Sequence, residues 1–434
     1  MLTIKQWDKL SLSDRKLCLQ RPAQAIEDET NRQVAAIINE VRTFGDEALL
    51  RFTQQFDGAT LSSLVVSAEQ IATATINDKA MAALLSAIAT ITHYHQELLP
   101  QSIQVNTANG VMIERLFRPI SRVGLYVPGG NNTPLVSSLL MQAIPALVAG
   151  CPQRVLCTPP NAQGEIDPHL LVAARLCQID TIYKLGGAQA IAAMAYGSQT
   201  IRKVDKIFGP GNRYVTAAKT QVSIDAQGTA IDMPAGPSEV MVIADNDANP
   251  AYVAADLLAQ AEHGVDSQVI LVCESVAFAE TVNCAMNLQF NSLNRQAIIK
   301  QALAHSMILV CSDMNETKAI INNYAAEHLI INRADLSGWV DDITNAGTIF
   351  LGPWAAETMG DYVTGSNHVL PTNGFARNHS GLSSSDFLKA ISVQSISRNG
   401  IRSLGDAAYT LAMIEGLDGH ANAIKQRLLS AEVA

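Results

Sequence analysis

The sequence feature that most constrains the fold is an alternation of short apolar segments with helix-length segments, which begins at Arg122. The segments RVGLYV, RVLC, TIYKL and KIF form a first series, and EVMVIA, QVILVC, MILV, LII and TIFL form a second. Continuous apolar strands separated by helices are typical of parallel sheets that are covered on both faces. Because the crossovers between such strands are right-handed, the chain is predicted to form doubly wound α/β layers.

Helical patterns flank this region. Residues 22–58 and 78–99 carry apolar side chains at helical spacing, and Pro100 ends the second stretch. Ser67 and Gln70 have the spacing of a capping box. After residue 386 the chain is predicted to return to helix, in two segments separated at 416–419. The segment DMPAGPS, residues 232–238, is the predicted seam between the two βα series.

Composition narrows the class of protein. The chain has 434 residues, enough for two or three domains, and a net charge of −10, which argues against nucleic-acid binding. No signal peptide begins the sequence, and its most apolar stretch, residues 135–150, is too short to span a bilayer. The seven scattered cysteines lack a CxxC pair and indicate reduced thiols in the cytoplasm. Only 16% of residues are charged, which favours a surface partly covered by oligomerisation.

Three glycine-rich turns follow predicted strands, where α/β proteins hold ligands against helix N-termini. They are VPGGNNTP, LGGAQA and FGPGN. None is the dinucleotide fingerprint GxGxxG, since Tyr214 stands where FGPGN would need its third glycine. The turns alone therefore leave open both a weakly held nucleotide and ordinary tight turns.

Several polar residues are candidates for chemistry. Gln260 and His263 share one face at the end of a predicted helix, where the helix dipole favours a cation. Glu327 and His328 stand directly before the strand LII and could form an acid/base pair. Each pair is also compatible with an ordinary surface or structural role. A further set lies in loops or at a helix break, and its members can bind a metal only if they converge in space: Asp361, His368, Glu415 and His420.

A different class of enzyme uses a cysteine nucleophile. Cys157 ends the strand RVLC and could attack an aldehyde, as in a cysteine-dependent aldehyde dehydrogenase. Its neighbours are Leu, Thr and two prolines, which offer no means of lowering the pKa of its thiol. Packing is the simpler interpretation of this residue. A non-catalytic metabolite-binding protein is a further alternative, although simple binding requires neither an acid/base pair nor a metal set.

Eight segments in order resemble the L-histidinol dehydrogenase family, from about residue 22 to the C-terminus. They are VGLYVPGG, KLGGAQAIAAMAYG, VDKIFGPGN, IDMPAGPSEV, LLAQAEHGVDSQ, AAEHLII, GDYVTGSNHVLPT and IEGLDGHANAI. The resemblance implies a zinc-dependent, NAD-linked enzyme that oxidises L-histidinol to L-histidinal and then to L-histidine. It also implies an intertwined, cytoplasmic homodimer without nucleic-acid or membrane partners.

The resemblance assigns roles residue by residue. Glu327 and His328 become the acid/base pair, with His328 as general base and Glu327 activating water for the second oxidation. The implied zinc ligands, one ion per subunit, are Gln260, His263, Asp361 and His420. The implied substrate contacts are Ser238, Gln260, His263, His328, Asp361, Glu415 and His420, with His368 as a further candidate. The implied NAD contacts are Tyr126, Gln189 and Asn212, one in each glycine-rich turn.

The expected architecture has two doubly wound parallel-sheet domains, incomplete Rossmann-like and aldehyde-dehydrogenase-like, with small helical extensions at both ends. Residues 1–22 would form the N-terminal extension. Residues 23–105 with 238–383 would form the zinc and substrate domain, and 106–237 the NAD-binding domain. Residues 384–434 would form a helical dimerisation domain through which Glu415 and His420 reach the partner's active site.

Overall fold

A computed structural model describes residues 2–21, 27–129, 133–233 and 236–432. Two parallel sheets and one antiparallel sheet organise these residues. The strands are β1 (Thr3–Gln6), β2 (Ile103–Ala108), β3 (Val111–Pro119), β4 (Arg122–Tyr126), β5 (Gln153–Thr158), β6 (Thr181–Lys184), β7 (Lys206–Phe208), β8 (Ala230–Ile231), β9 (Glu239–Ala244), β10 (Gln268–Cys273), β11 (Met307–Val310), β12 (His328–Asn332), β13 (Thr348–Leu351) and β14 (Leu388–Ile396).

Helices follow most of the strands and cover the two parallel sheets. They are α1 (Leu12–Cys18), α2 (Glu27–Phe44), α3 (Asp46–Asp57), α4 (Ala68–Thr73), α5 (Asp78–Glu97), α6 (Val136–Val148), α7 (Pro168–Leu176), α8 (Gly187–Tyr196), α9 (Arg213–Ile224), α10 (Pro250–Ala261), α11 (Val276–Phe290), α12 (Gln296–Leu303), α13 (Met314–Tyr324), α14 (Glu357–Tyr362), α15 (Arg398–Ile414) and α16 (Asp418–Glu432).

The six-stranded sheet has the order β1-β11-β10-β9-β12-β13, and every neighbouring pair is parallel. From β9 the chain winds outward to β10 and β11, then returns to the other side for β12 and β13. The winding therefore reverses between β9 and β12, which makes this half doubly wound as predicted. Residues 3–6, expected to belong to an N-terminal extension, instead form the edge strand β1.

The five-stranded sheet has the order β6-β5-β4-β7-β8 and is also parallel throughout. Its winding reverses between β4 and β7. Helices α2–α5 pack on helices α6–α9, which cover this sheet. The apolar side chains of α2–α5 belong to the same core as those of the sheet. These contacts group residues 27–97 with the five-stranded sheet, whereas the sequence-based division placed 23–105 with the six-stranded one. Their helical pattern identifies a buried face but does not indicate which sheet buries it.

Residues 388–396 form strand β14, so the prediction of helix directly after residue 386 is wrong there. β14 pairs antiparallel with β3, which also pairs with β2. Helices α15 and α16 follow and pack mainly on each other. We call β2, β3, β14, α15 and α16 together the arm. The arm leaves most side chains of β14 exposed.

All seven cysteines are free thiols, and six of them are buried. In the described part of the chain, no helix is both long and apolar enough to cross a membrane.

Candidate active site

The polar residues near β9 and β12 meet at the amino ends of these neighbouring strands. His328 is the first residue of β12 and lies in register with Val240, the second residue of β9. Glu327 directly precedes β12, and Ser238 directly precedes β9. Parallel strands bring these positions to the same edge of the sheet. The cluster thus lies opposite the carboxyl-end crevice that open α/β sheets usually use for ligands.

His328 lies at the centre of this cluster and is almost fully buried. Its Nδ1 is 3.5 Å from Glu327 Oε2 and 3.3 Å from the carbonyl oxygen of Glu239. Its Nε2 is 3.5 Å from Asp361 Oδ1 and has no hydrogen-bond partner among the described residues. The imidazole therefore has carboxylates on two sides, the arrangement that a proton-transfer group needs.

Two helices bring further polar side chains to the cluster. Helix α14 contributes Glu357 and Asp361, which share one face because they are four residues apart. Oε1 of Glu357 is 3.7 Å from His328 Nδ1. Helix α10 runs back from the end of β9 and presents the buried Gln260 near its C-terminus. The side-chain amide of Gln260 is oriented so that both its nitrogen and its oxygen have hydrogen-bond partners. The nitrogen donates to Glu357, and the oxygen accepts from the Glu239 N–H at 2.9 Å.

The cluster has the composition of a metal site. Ligand atoms of His328, Glu357 and Asp361 all lie within 4.8 Å of one another, and all three residues are buried. Imidazole nitrogen and carboxylate oxygen are ligands that zinc accepts. The cluster could therefore hold a divalent cation.

Burial and charge set the protonation states. Burial opposes the charged form of His328, but the carboxylates of Glu357 and Glu327 raise the pKa of His328 well above its usual 6.5. Burial raises the pKa of Glu357 to about 8, and it raises the pKa of Glu327 as well. Although burial raises the pKa of Asp361, the nearby His328 ring, 3.5 Å away, lowers it overall. The negative charge of the cluster therefore lies mainly on the Asp361 carboxylate.

A second polar region lies at the carboxyl ends of the five-stranded sheet, where its winding reverses. Tyr126 ends β4, and its buried hydroxyl accepts the N–H of Gly187 at 2.9 Å. The buried side chain of Gln189 folds back toward Gly187, and its Oε1 has no hydrogen-bond partner in the described chain. Two glycine-rich turns therefore meet at the N-terminus of α8.

The third glycine-rich turn packs against the same strand end. Gly209 has a φ of +119°, and a Cβ there would lie 2.2 Å from the carbonyl oxygen of Tyr126. Asp232 accepts the Gly209 N–H at 2.8 Å, while the buried Lys219 donates to the Gly209 carbonyl and to Asp232. Asn212 caps α9 by accepting from two backbone N–H groups and is itself exposed. All three predicted turns thus converge at the end of β4.

Known proteins with a similar sequence or fold indicate the family of the chain. A family model for histidinol dehydrogenase matches residues 19–428. The chain belongs to the histidinol dehydrogenase family. It is 62% identical over 428 residues to the histidinol dehydrogenase of Legionella pneumophila subsp. pneumophila, strain Philadelphia 1, with 99% of both chains covered. It is 48% identical to that of Xylella fastidiosa, strain Temecula1, with 99% and 100% covered.

A solved structure of histidinol dehydrogenase from Elizabethkingia anophelis also has the same fold. Its TM-score is 0.95 at 42% sequence identity, and 99% of each chain is covered. As a member of the family, the chain is an oxidoreductase of histidine biosynthesis that acts on a small molecule. The resemblance inferred from the sequence motifs is confirmed.

The histidinol dehydrogenase fold brings together some of the predicted site residues. Gln260, Glu327, His328 and Asp361 meet in the cluster described above. His263 follows α10 and is exposed, yet it lies close enough to Asp361 to affect its charge. Nδ1 of His368 lies 2.8 Å from the carbonyl oxygen of Asp361, which places this loop residue beside the cluster.

Two predicted residues are not brought to the cluster within the single chain. Glu415 directly follows α15 and His420 lies in the first turn of α16, and both are exposed on the arm.

The sequence analysis did not identify Glu357 or Glu239. The spacing of Glu357 and Asp361 was an available signal, because two carboxylates at i and i+4 share a helix face. Glu239 is the first residue of an apolar strand, and the local sequence gives no indication that its peptide group contacts the cluster. Cys157 is completely buried, and burial raises the pKa of its thiol to about 12. This environment argues against the cysteine-nucleophile alternative.

Proposed function

We propose that the chain catalyses the zinc-dependent, NAD-linked oxidation of L-histidinol to L-histidine through bound L-histidinal. The observation that carries this proposal is the buried His328, whose two ring nitrogens lie 3.5 Å from the carboxylates of Glu327 and Asp361. A base between two carboxylates at a candidate metal site suits removal of a hydroxyl proton. The family membership supplies the substrate.

Imidazole nitrogen and carboxylate oxygen, both present in the cluster, are donors that zinc accepts. Of His328, Glu357 and Asp361, only Asp361 belongs to the ligand set proposed here, because His328 is assigned the role of base. We propose Gln260, His263 and Asp361 as ligands from one subunit and His420 as a ligand from the other. Asp361 is favourable because the negative charge of the cluster concentrates there. Gln260 is buried and contacts Glu357, which lies on the same helix as Asp361. When bound, zinc would accept nitrogen atoms of the substrate and fix its orientation, as open N/O zinc sites do.

In the first oxidation His328 would accept the hydroxyl proton while a hydride leaves the same carbon for NAD. His328 must be neutral for this role. The surrounding carboxylates raise the pKa of His328 and so favour its charged form. A bound cation would compensate their negative charge and would therefore favour the neutral ring. Asp361 and Glu357 would then hold the ring in its orientation.

In the second oxidation water must add to the aldehyde carbon, and we assign its activation to Glu327. A raised pKa suits this carboxylate to general-base catalysis. The hydrated aldehyde would then lose a second hydride, for which NAD would supply the acceptor when bound, and no cysteine nucleophile is needed. Ser238 and Glu415, together with the proposed zinc ligands, would hold the substrate through both steps.

We propose that NAD binds at the carboxyl ends of the five-stranded sheet, in contact with Tyr126, Gln189 and Asn212. The buried Gln189 Oε1 without a partner supports this site, since a ligand hydroxyl or amide could donate to it. The absence of a full dinucleotide fingerprint suggests a weak hold on NAD. Weak binding suits an enzyme that must exchange NADH for NAD between two oxidations.

We further propose a cytoplasmic homodimer with shared active sites. Its exposed arm would carry Glu415 and His420 into the partner's cluster. Free thiols throughout the chain are consistent with a reducing compartment.

Counting NADH tests the reaction. With histidinol as the limiting substrate, we expect two NADH per molecule and loss of turnover after chelation, restored by zinc. One NADH per histidinol, or full activity in the chelated protein, would contradict the proposal. Circular dichroism of the chelated sample provides the control, since the ligands come from separately packed elements and most secondary structure should remain.

Two substitutions test the division of roles. His328→Asn should abolish the first hydride transfer, because the hydroxyl proton then has no acceptor. Glu327→Gln should impair oxidation of added histidinal more than the alcohol step. Equal losses in both steps would argue against this assignment to Glu327.

A further inference from the structure

A buried ion pair lies directly behind the candidate active site. Nε and Nη2 of Arg21 donate to the two carboxylate oxygens of Glu239 at 2.5 and 2.7 Å. The exposed fractions of the two side chains are 17% and 3%. Two parallel hydrogen bonds between a guanidinium and a carboxylate fix both position and orientation. The N–H of Asn373 donates to the same carboxylate at 2.8 Å, which holds it from a third direction.

The peptide group of Glu239 contacts three residues of the cluster. Its N–H donates to Glu327 Oε2 at 2.8 Å and is shared with Gln260. Its carbonyl oxygen lies 3.3 Å from His328 Nδ1. His328 is also held by the strand ladder of β12, but Glu327 precedes that ladder. The main chain of Glu327 is held by the Thr348 N–H, which donates to its carbonyl oxygen at 3.0 Å, whereas its carboxylate accepts from the Glu239 N–H. The Glu239 N–H thus orients the carboxylate on an already anchored backbone.

Arg21 also holds the turn that leads into Glu327. Its Nη2 donates to the carbonyl oxygens of Tyr324 and Ala325 at 2.8 and 3.4 Å. The guanidinium lies over the Tyr324 ring, 4.3 Å from its centre. Ala325 has a φ of +55°, a conformation that a non-glycine residue adopts only with support from its surroundings. One arginine thus joins the start of β9 to the turn before β12.

We propose that Arg21 and Glu239 are positioning residues that hold the Glu327 carboxylate for water activation in the aldehyde oxidation. This inference rests on the role proposed above for Glu327. Arg21 supports the two backbone segments on either side of that carboxylate, and Glu239 supplies the amide that binds it. Neither side chain needs to contact the substrate for this role.

The test compares the two oxidations in zinc-loaded variants. A misplacement of about 1 Å at a reacting group can cost about 100-fold in rate. We therefore expect Arg21→Met to lower kcat for added histidinal by about 10- to 100-fold, with the first hydride transfer from histidinol slowed less than about threefold. A merely structural role would reduce both steps alike. Loss of the arginine also leaves Glu239 buried without its partner, so Arg21→Met combined with Glu239→Gln provides a variant without that unpaired charge.

Arg15 provides the matched control. It also anchors the N-terminal segment by stacking on an aromatic ring, Trp7, and by pairing with a glutamate, Glu316, at 3.3 Å. These contacts do not involve Glu239 or Glu327. Arg15→Met should leave the ratio of the two oxidation rates unchanged.

A double-mutant cycle separates this inference from the proposed role of Glu327. If Arg21 acts through Glu327, Arg21→Met should add no further loss to Glu327→Gln. Losses that multiply would overturn the positioning role while leaving the role of Glu327 intact. A loss in Arg21→Met without one in Glu327→Gln would contradict both. Equal losses in the two oxidations, or none in either, would also overturn the inference.

Discussion

At Cys157 the surroundings, rather than the residue type, determine the chemistry. The side chain is completely buried at the end of β5, and its thiol has a pKa raised to about 12 by burial. The thiolate is therefore almost absent at neutral pH, so Cys157→Ser should retain at least half of the wild-type kcat in the NADH assay. A folded but inactive variant would support a covalent mechanism, and circular dichroism would verify that it is folded.

His95 is a buried histidine outside the site. Its Nε2 lies 3.4 Å from the amide nitrogen of Asn367, so this nitrogen must accept and the ring must be neutral. Burial lowers the pKa of His95 from 6.5 to about 4. Since the unfolded chain binds the proton more tightly, the contribution of the neutral ring to stability is present above pH 6.5 and decreases as the pH falls toward 4.

The expected loss is about 2 kcal/mol in free energy of unfolding between pH 7 and pH 5. Urea unfolding of the wild type and of His95→Gln at both pH values measures it. The glutamine variant should lack this component, so the stability difference between the two proteins should change by that amount. An unchanged difference would show that His95 titrates near its ordinary pKa in the folded protein.

Sequence reasoning at the residue scale identified side chains but not their contacts. It predicted Glu327 and His328 as a pair at a strand edge, and in the structure they lie at the start of β12. It did not indicate that the backbone N–H of Glu239 binds Glu327, because this contact joins residues 88 positions apart. Such contacts arise from strand register, which apolar periodicity alone does not determine.

At the scale of elements, the predicted strands were those with continuous apolar runs. Nine apolar segments, from RVGLYV to TIFL, correspond to strands of the two parallel sheets. Strands β2 and β14 of the arm were missed, because neither is a continuous apolar run. Ile103 and Val105 alternate with polar residues in β2, as do Ile391 and Val393 in β14, and this alternation is the sequence signal of a half-buried strand.

The turn between β7 and α9 provides a test of how a buried ion pair supports an element. Lys219 donates to Asp232 and to the Gly209 carbonyl, and the exposed fractions of the two charged side chains are 4% and 1%. Lys219→Met leaves Asp232 buried and unpaired, which should lower the free energy of unfolding by about 3–5 kcal/mol. Because the turn contacts Tyr126, NAD binding measured by calorimetry should also weaken.

Lys318→Met is the matched control for Lys219→Met. Lys318 also pairs with an aspartate, Asp342, at 2.6 Å, but the exposed fraction of that carboxylate is 66%. An exposed partner can be solvated by water, so the expected loss is below about 1 kcal/mol. Similar losses in the two variants would show that burial of the partner carboxylate is not the deciding factor.

At the scale of the whole molecule, the arm combines exposed apolar side chains with two predicted site residues. Leu411 and Ile414 on α15 have exposed fractions of 60% and 75%, beside Glu415. Ile391 and Ile396 on β14 are also exposed. An apolar surface of this kind is typical of an interface between subunits. These exposed apolar side chains would account for part of the low charge content of the chain, and a second subunit would cover them.

Shared active sites predict complementation between two inactive variants. If His420 serves the partner's cluster, a hybrid of His328→Asn and His420→Asn subunits has one site with both changes and one with neither. Random assortment makes half of the dimers hybrids, so co-expression in equal amounts should restore about a quarter of wild-type activity. The NADH assay on the co-purified mixture measures it, and separately purified variants mixed without subunit exchange are the control. If His420 instead serves its own subunit, both sites of the hybrid carry a change and the mixture should stay inactive.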